Sequence, residues 1–314
     1  MEHRKLIKFG NSSYVISLPK KWITKNKLEK GNSVFFQEGI NGEISLKANF
    51  SSEEEKKPSI IQTDNISPKS IRREIISSYM NDHRTIILSG KRENYQEKIQ
   101  ELIQDLIGVE IVEETSERLV LKDFIDVHKV SISEMLQRTD IILRSMIEDM
   151  IQCLKKDLYD SINPRDITIN KLRFMILKMV RNSMVDSSLM SKFKNSDLDP
   201  LYVFILLFNM EDIADNTRRI ARILAQSKLT NKEKDILEQI YKKMQRMYLE
   251  VMKSHHKKDK NFASEVANRK GEISNTCEKI IDNTNNKDII KISEKCKIIE
   301  NSIMVVARAI LDKP

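Results

Sequence analysis

From residue 128 to residue 314, apolar side chains recur at the spacing of amphipathic helices, in stretches too long for strands. Only 7 Gly and 6 Pro occur in 314 residues, and 32% of residues are charged, which favours long helices over a large all-β fold. The pattern predicts six helices at about 131–158, 164–194, 199–227, 231–258, 261–284 and 287–312. Breaks are expected at Asn163-Pro164, Asp199-Pro200, Thr230-Asn231, Lys258-Asp259 and Asn285-Asn286. Short connections imply antiparallel bundles. The helices divide three and three, about 128–227 and 231–314. "ADNTRRIARIL" (214–224) and "ENSIMVVARAIL" (300–311) share an Ala-Arg pair near the ends of the third and sixth helices, the mark of an internal repeat.

The first fifty residues read differently. "RKLIKF" and "SYVISLP" are strand-like runs joined by Gly10-Asn11-Ser12. Pro19 opens a short helix, "PKKWITKNKL", in which Trp22, Ile23 and Leu28 are expected on a buried side, and Gly31 stops it. "VFFQEGINGEISLKA" reads as a hairpin turning at Asn41-Gly42. So few large apolar side chains make a poor solitary core, and a second copy is expected to complete it. Residues 1–50 hold nine Lys/Arg against four Asp/Glu, so +5 of the net +8 belongs to this segment. Such a local basic excess is the footprint of a small nucleic-acid-binding module.

Between these parts, residues 50–66 carry Ser, a charge block and Pro58 and read as a linker. Residues 67–124 read as a small α/β connector domain: a helix capped by Ser67, the strand "RTIILSG", a second helix stopped by Gly108, and the strands "VEIVEE" and "ERLVLKDF". Cys153, Cys277 and Cys296 form no C-x-x-C pair, and reduced thiols in a cytoplasm are expected. No signal peptide is apparent, and the longest apolar run, "LYVFILLF" at 201–208, is too short to span a bilayer. No nucleophile, base and oxyanion-donor constellation appears, so an enzyme is not expected. The adjacent His255 and His256 cannot share a helix face and read as a solvated helix end rather than a ligand pair.

The segment "KFGNSSYVISLPKKWITKNKLEKGNSVFF" resembles the swapped-hairpin DNA-binding domain of the AbrB and SpoVT type, with Gly10, Asn11, Ser12, Leu18, Pro19, Leu28, Gly31 and Val34 in register. Asn32 stands where that family has Asp. The resemblance implies an intertwined homodimer, or a higher even oligomer, whose basic loops contact double-stranded DNA. It would place Arg4, Lys5 and Lys8 beside the turn Asn11-Ser12-Ser13, with Lys20, Lys21 and Lys25 extending the patch. Lys and Arg would hold phosphates, while Asn and Ser could bond phosphates or base edges. The alternative is a domain that only dimerises, or that binds a protein as antitoxins of this fold do.

Residues 128–314 resemble PhoU, a phosphate-signalling protein of two three-helix bundles. "RDITINKLRFMILKMVRNSM" (165–184) and "LLFNMEDIADNTRRIARIL" (206–224) are similar to the second and third helices of its repeat. The family's Glu/Asp-x-x-x-Asp motif corresponds to Glu211 and Asp215, with Asp166 and Asn170 as further oxygen donors, which implies a divalent or iron cation in the first repeat. Carboxylates at i and i+4 repel one another, and either a cation or Arg218 or Arg219 could relieve this. An offset of 86 puts Lys297 and Asn301 at the equivalent positions, so no second cation site is expected.

Together these readings give a multi-domain, mainly α protein: a swapped-hairpin β domain (1–49), a linker, an α/β connector and a PhoU-like six-helix bundle. The implied function is a cytoplasmic DNA-binding transcriptional regulator of phosphate uptake. The alternative is an adaptor that docks on a phosphate transporter ATPase or sensor kinase, with its N-terminal domain serving only dimerisation.

Overall fold

The computed structural model describes residues 3–38, 44–48, 56–90 and 96–313. The expected Asn41-Gly42 turn and linker residues 49–55 lie outside these. The chain divides into two units, Met1–Glu55 and Lys56–Pro314.

The first unit consists of two antiparallel hairpins around a short helix. Strands β1 (Ile7–Phe9) and β2 (Ser13–Val15) pair with Lys8 opposite Tyr14. Gly10 begins the connecting turn at φ +69, a left-handed conformation that costs glycine little. Helix α1 (Lys20–Lys25) follows Pro19, and β3 (Phe35–Glu38) pairs with β4 (Ile44–Lys47). Ser13 therefore belongs to a strand rather than to the turn. Among the described residues of this unit none is fully buried, and Trp22, Ile23 and Leu28 reach only half-burial.

The second unit begins with a four-stranded sheet. Strand β5 (Ser59–Gln62) lies inside the segment read as linker; Pro58 and the charge block before it conceal a four-residue strand whose Ile61 is buried. It is followed by α2 (Pro68–Met80), β6 (Thr85–Ser89), α3 (Gln96–Gln104), β7 (Val109–Glu114) and β8 (Arg118–Asp123). The order is β5-β6-β8-β7, with β5 parallel to β6 and the other pairs antiparallel. Ser67 caps α2 by accepting the Ser70 N–H at 3.2 Å.

Eight helices follow: α4 (Ile132–Gln152), α5 (Tyr159–Ser183), α6 (Ser187–Asn195), α7 (Pro200–Gln226), α8 (Asn231–Lys257), α9 (Lys260–Asn268), α10 (Glu272–Asp282) and α11 (Lys287–Leu311). The break expected at Pro164 falls instead at residues 153–158, and Pro164 sits inside α5. Pro164 lies in the second turn of α5, past the amides that have no intrahelical acceptor, so it removes the ladder bond to the Asp160 carbonyl and the helix continues through it. The second and fifth expected helices each split, at residues 184–186 and 269–271. A backbone turn at Asp186, whose carboxylate accepts the Ser188 N–H at 2.8 Å, and left-handed Gly271 mark the two breaks. Helix α7 packs along α5, α4 and α11, so its apolar stripe is the centre of the helical core.

One hydrophobic core runs from the sheet through these helices, so residues 67–124 are not separated from the helical part. The joint is polar as well as apolar. Lys178 of α5 is fully buried, 2.8 Å from Asp82, bonded to Asp123 and 4.7 Å from the Tyr79 ring centroid. The Tyr79 hydroxyl donates to the Ile107 carbonyl at 3.1 Å, and Asn182 donates to the Met80 carbonyl at 3.2 Å. No helix among the described residues is long and apolar enough to cross a membrane.

Candidate nucleic-acid interface and the carboxylate cluster

In the first unit, strand alternation puts Lys8 and Tyr14 on one face of the β1–β2 hairpin and Ile7, Phe9 and Val15 on the other. Arg4 and Lys5 precede β1 in irregular backbone, Asn11 and Ser12 form the turn, and Ser13 opens β2 opposite Phe9. Lys20 and Lys21 are exposed at the start of α1, and Lys25 lies in its last turn. All the positively charged residues expected in the DNA patch are exposed. Asn32 Oδ1 accepts the Glu29 N–H at 2.7 Å and closes the turn after α1.

Ten large apolar side chains of this unit are exposed as well. Leu6, Ile7, Phe9, Tyr14, Val15, Ile16, Phe35, Phe36, Ile44 and Leu46 all face outward, Phe9 at 70% and Phe36 at 75% exposure. A fully buried side chain of this size contributes about 1.5–3 kcal/mol. Exposing ten of them leaves two short hairpins without the burial needed to offset chain ordering. This surface has the composition of an interior.

In the second unit, α5 and α7 bring Asp166, Glu211 and Asp215 together with three arginines. Asp215 is held at both oxygens: Arg218 Nη2 donates to Oδ1 at 2.6 Å, and Arg219 Nε lies 2.6 Å from Oδ2. Arg218 Nε stands 2.9 Å from Asp166 Oδ2 without the alignment of a hydrogen bond, and Asp166 Oδ1 is buried without a partner. Arg173 Nε is 3.9 Å from Glu211. Asn170 is turned to the backbone, donating to the Asp166 carbonyl at 3.2 Å.

The shifts in this cluster divide by partner. Burial raises the pKa of Asp166 above the usual carboxylate range despite Arg218, and burial does the same to Glu211 despite Arg173. Burial works against the charge of Arg218 too, but its bond to Asp215 and the nearby Asp166 outweigh it and hold the guanidinium charged. Three carboxyl groups thus meet three guanidinium groups. A cation here would have to displace Arg218 and Arg219 from Asp215, so the residues as placed do not fit one. Among the described residues no group of three or more His, Cys, Asp or Glu is disposed to hold a metal ion. The arginines at i+3 and i+4 from Asp215 were the sequence signal for this.

At the second-repeat positions, Lys297 stands 3.5 Å from both Glu278 and Glu294, and Asn301 is exposed. Two polar clusters have no motif of their own. Buried Asp140 of α4 takes two bonds from Arg144, at 2.9 and 2.6 Å, and one from Tyr248 at 2.9 Å, and lies 2.9 Å from His256 Nε2. His255 stacks on Tyr202, with its Nδ1 2.5 Å from the hydroxyl. The two histidine rings do not face apart as expected: they meet edge to face with centroids 4.9 Å apart, and each also has a protein partner rather than forming a merely solvated end.

Residues 7–49 match the family model described as antidote-toxin recognition MazE, bacterial antitoxin. That span coincides with the segment resembling the AbrB and SpoVT type and supports an N-terminal domain of this class. No curated protein matches the chain. No solved structure matches it.

Proposed function

We propose that the chain is a DNA-binding transcriptional regulator that works as a dimer, with the second unit sensing or docking. One observation carries this reading: ten large apolar side chains of the first unit are exposed beside exposed lysines. A second copy would bury the apolar set and double the basic one, giving a two-fold surface suited to duplex DNA. The family match to residues 7–49 supports the same class of domain. Phosphate homeostasis is the pathway we assign, resting on the resemblance of residues 128–314 to PhoU. The protein would act in the cytoplasm, would be no enzyme, and would use Arg218 and Arg219 in place of a cation.

The description of the matching family favours one second reading. A MazE-type domain recognises a toxin, so the first unit could hold a protein partner as well as DNA. The adaptor reading, docking on a phosphate transporter or sensor kinase, shares that prediction of a protein ligand. Mapping the DNA bound by the protein in cells grown with and without phosphate tests the assignment. Discrete sites that change occupancy near transport genes are expected. No enrichment over background in either condition would leave only the protein-binding readings.

A further inference from the structure

Helices α10 and α11 pack antiparallel in a register that their side chains fix. Glu300 accepts the amides of Ile273 and Ser274, and Lys297 lies 3.5 Å from Glu278. These contacts bracket one pair of residues at a common level, Cys277 and Cys296. Both are fully buried, and their thiols meet. The two helices are unequally anchored. Only Ile273 and Cys277 of α10 are buried, and its N-cap is a glycine. Helix α11 carries a buried stripe along its whole length. A helix with so few buried contacts opens at low cost. Lifting α10 therefore uncovers Cys277 while Cys296 stays in place.

We propose that Cys277 and Cys296 form a redox lock, which a peroxide closes as a disulfide that staples α10 to α11. While α10 is closed, contact with Cys277 and then burial hold the Cys296 pKa well above the usual thiol range, so this thiol keeps its proton. Oxidation then proceeds through opening of α10. The freed Cys277 thiolate attacks hydrogen peroxide, expels hydroxide and becomes a sulfenic acid. On reclosure the Cys296 sulfur attacks the Cys277 sulfur, and the sulfenic hydroxyl leaves as water. Hydroxide takes the Cys296 proton, so two thiols and one peroxide give one disulfide and two waters. Tyr241 of α8 is close to both thiols, and Ser293 lies one turn before Cys296. Their buried hydroxyls have no hydrogen-bond partner among the described residues and supply donors for the sulfenic oxygen.

The test uses the full chain with Cys153→Ser, which removes the half-buried third thiol and leaves the pair. After hours in a slight excess of hydrogen peroxide, a non-reducing digest should yield the peptides carrying residues 277 and 296 linked within one chain, lighter by two hydrogens. Neither thiol should alkylate after unfolding until a dithiol reductant is added. The bond restrains the unfolded chain over residues 278–295, so the thermal midpoint should rise by roughly 5–10 °C. Amide exchange across 272–282 should slow, and the dithiol should reverse both effects. The same treatment of Cys277→Ala in that background should produce neither. Two thiols still free to alkylate, or oxygen added at either cysteine in place of the link, would overturn the proposal. A disulfide that leaves the midpoint and the exchange unchanged, or lowers the midpoint, would overturn it as well, because α10 would then not be held.

Discussion

Asp215 shows how one carboxylate can be read two ways. Its i−4 partner Glu211 suggested a cation site, whereas its i+3 and i+4 partners, Arg218 and Arg219, occupy both of its oxygens. We therefore expect the double variant Glu211→Gln, Asp215→Asn to lose about 1–2 kcal/mol, a discounted value because these side chains are partly solvated. Mn²⁺ should change the thermal midpoint of neither protein. A Mn²⁺-dependent rise in wild type that the variant lacks would restore the cation reading. His255 gives a second test at this scale. Burial, then His256 and Lys313, push its pKa from 6.5 down to about 4. Unfolded chains bind a proton between those values that the folded protein refuses, so stability should fall as pH drops from about 6.5 to 4 and level off below. The loss is up to about 3 kcal/mol. The raised carboxyls of Asp166 and Glu211 act with the opposite sign, so the informative quantity is the slope difference between wild type and His255→Phe. Equal slopes in calorimetry would show that His255 does not contribute.

At the level of elements, helix α10 depends on a side chain from another helix. Its N-cap is Gly271, which offers no side-chain acceptor. Glu300 of α11, itself buried, accepts the amides of Gly271 at 3.1 Å, Ile273 at 3.0 Å and Ser274 at 2.9 Å, and the Ser274 hydroxyl as well. Glu300→Ala would strand those donors and should cost about 3–5 kcal/mol, with faster amide exchange at 271–274. Unchanged exchange there would contradict the capping role. Nothing in the run "KCKIIENSIMVV" announces this carboxylate, because its partners lie 26 to 29 residues away. What was legible was local. Ser67, Asp199 and Thr230 cap where their neighbours imply, since an N-cap bond spans three residues. Pro164 misled because the helix runs through it: the packing of α5 on α4 and α7 outweighs the local cost of a proline in its second turn. The strand β5 was hidden because four residues between a charge block and a turn carry too little period, and only pairing with β6 defines it.

For the whole molecule, the helical mass and the two N-terminal hairpins were readable from periodicity, whereas the single core shared by the sheet and the helices was not, because it depends on long-range contacts such as Lys178 with Asp82 and Asp123. The central claim is that the first unit grips duplex DNA through its basic residues. The most direct measurement is binding of the full chain to duplex DNA over a range of salt concentrations, for wild type and for Arg4→Ala, Lys5→Ala, Lys8→Ala. Each phosphate neutralised adds about 0.9 to the slope of log affinity against log salt. A dimer losing three cations per copy should bind far more weakly and show a distinctly flatter slope. An affinity and slope unchanged from wild type would contradict the claim.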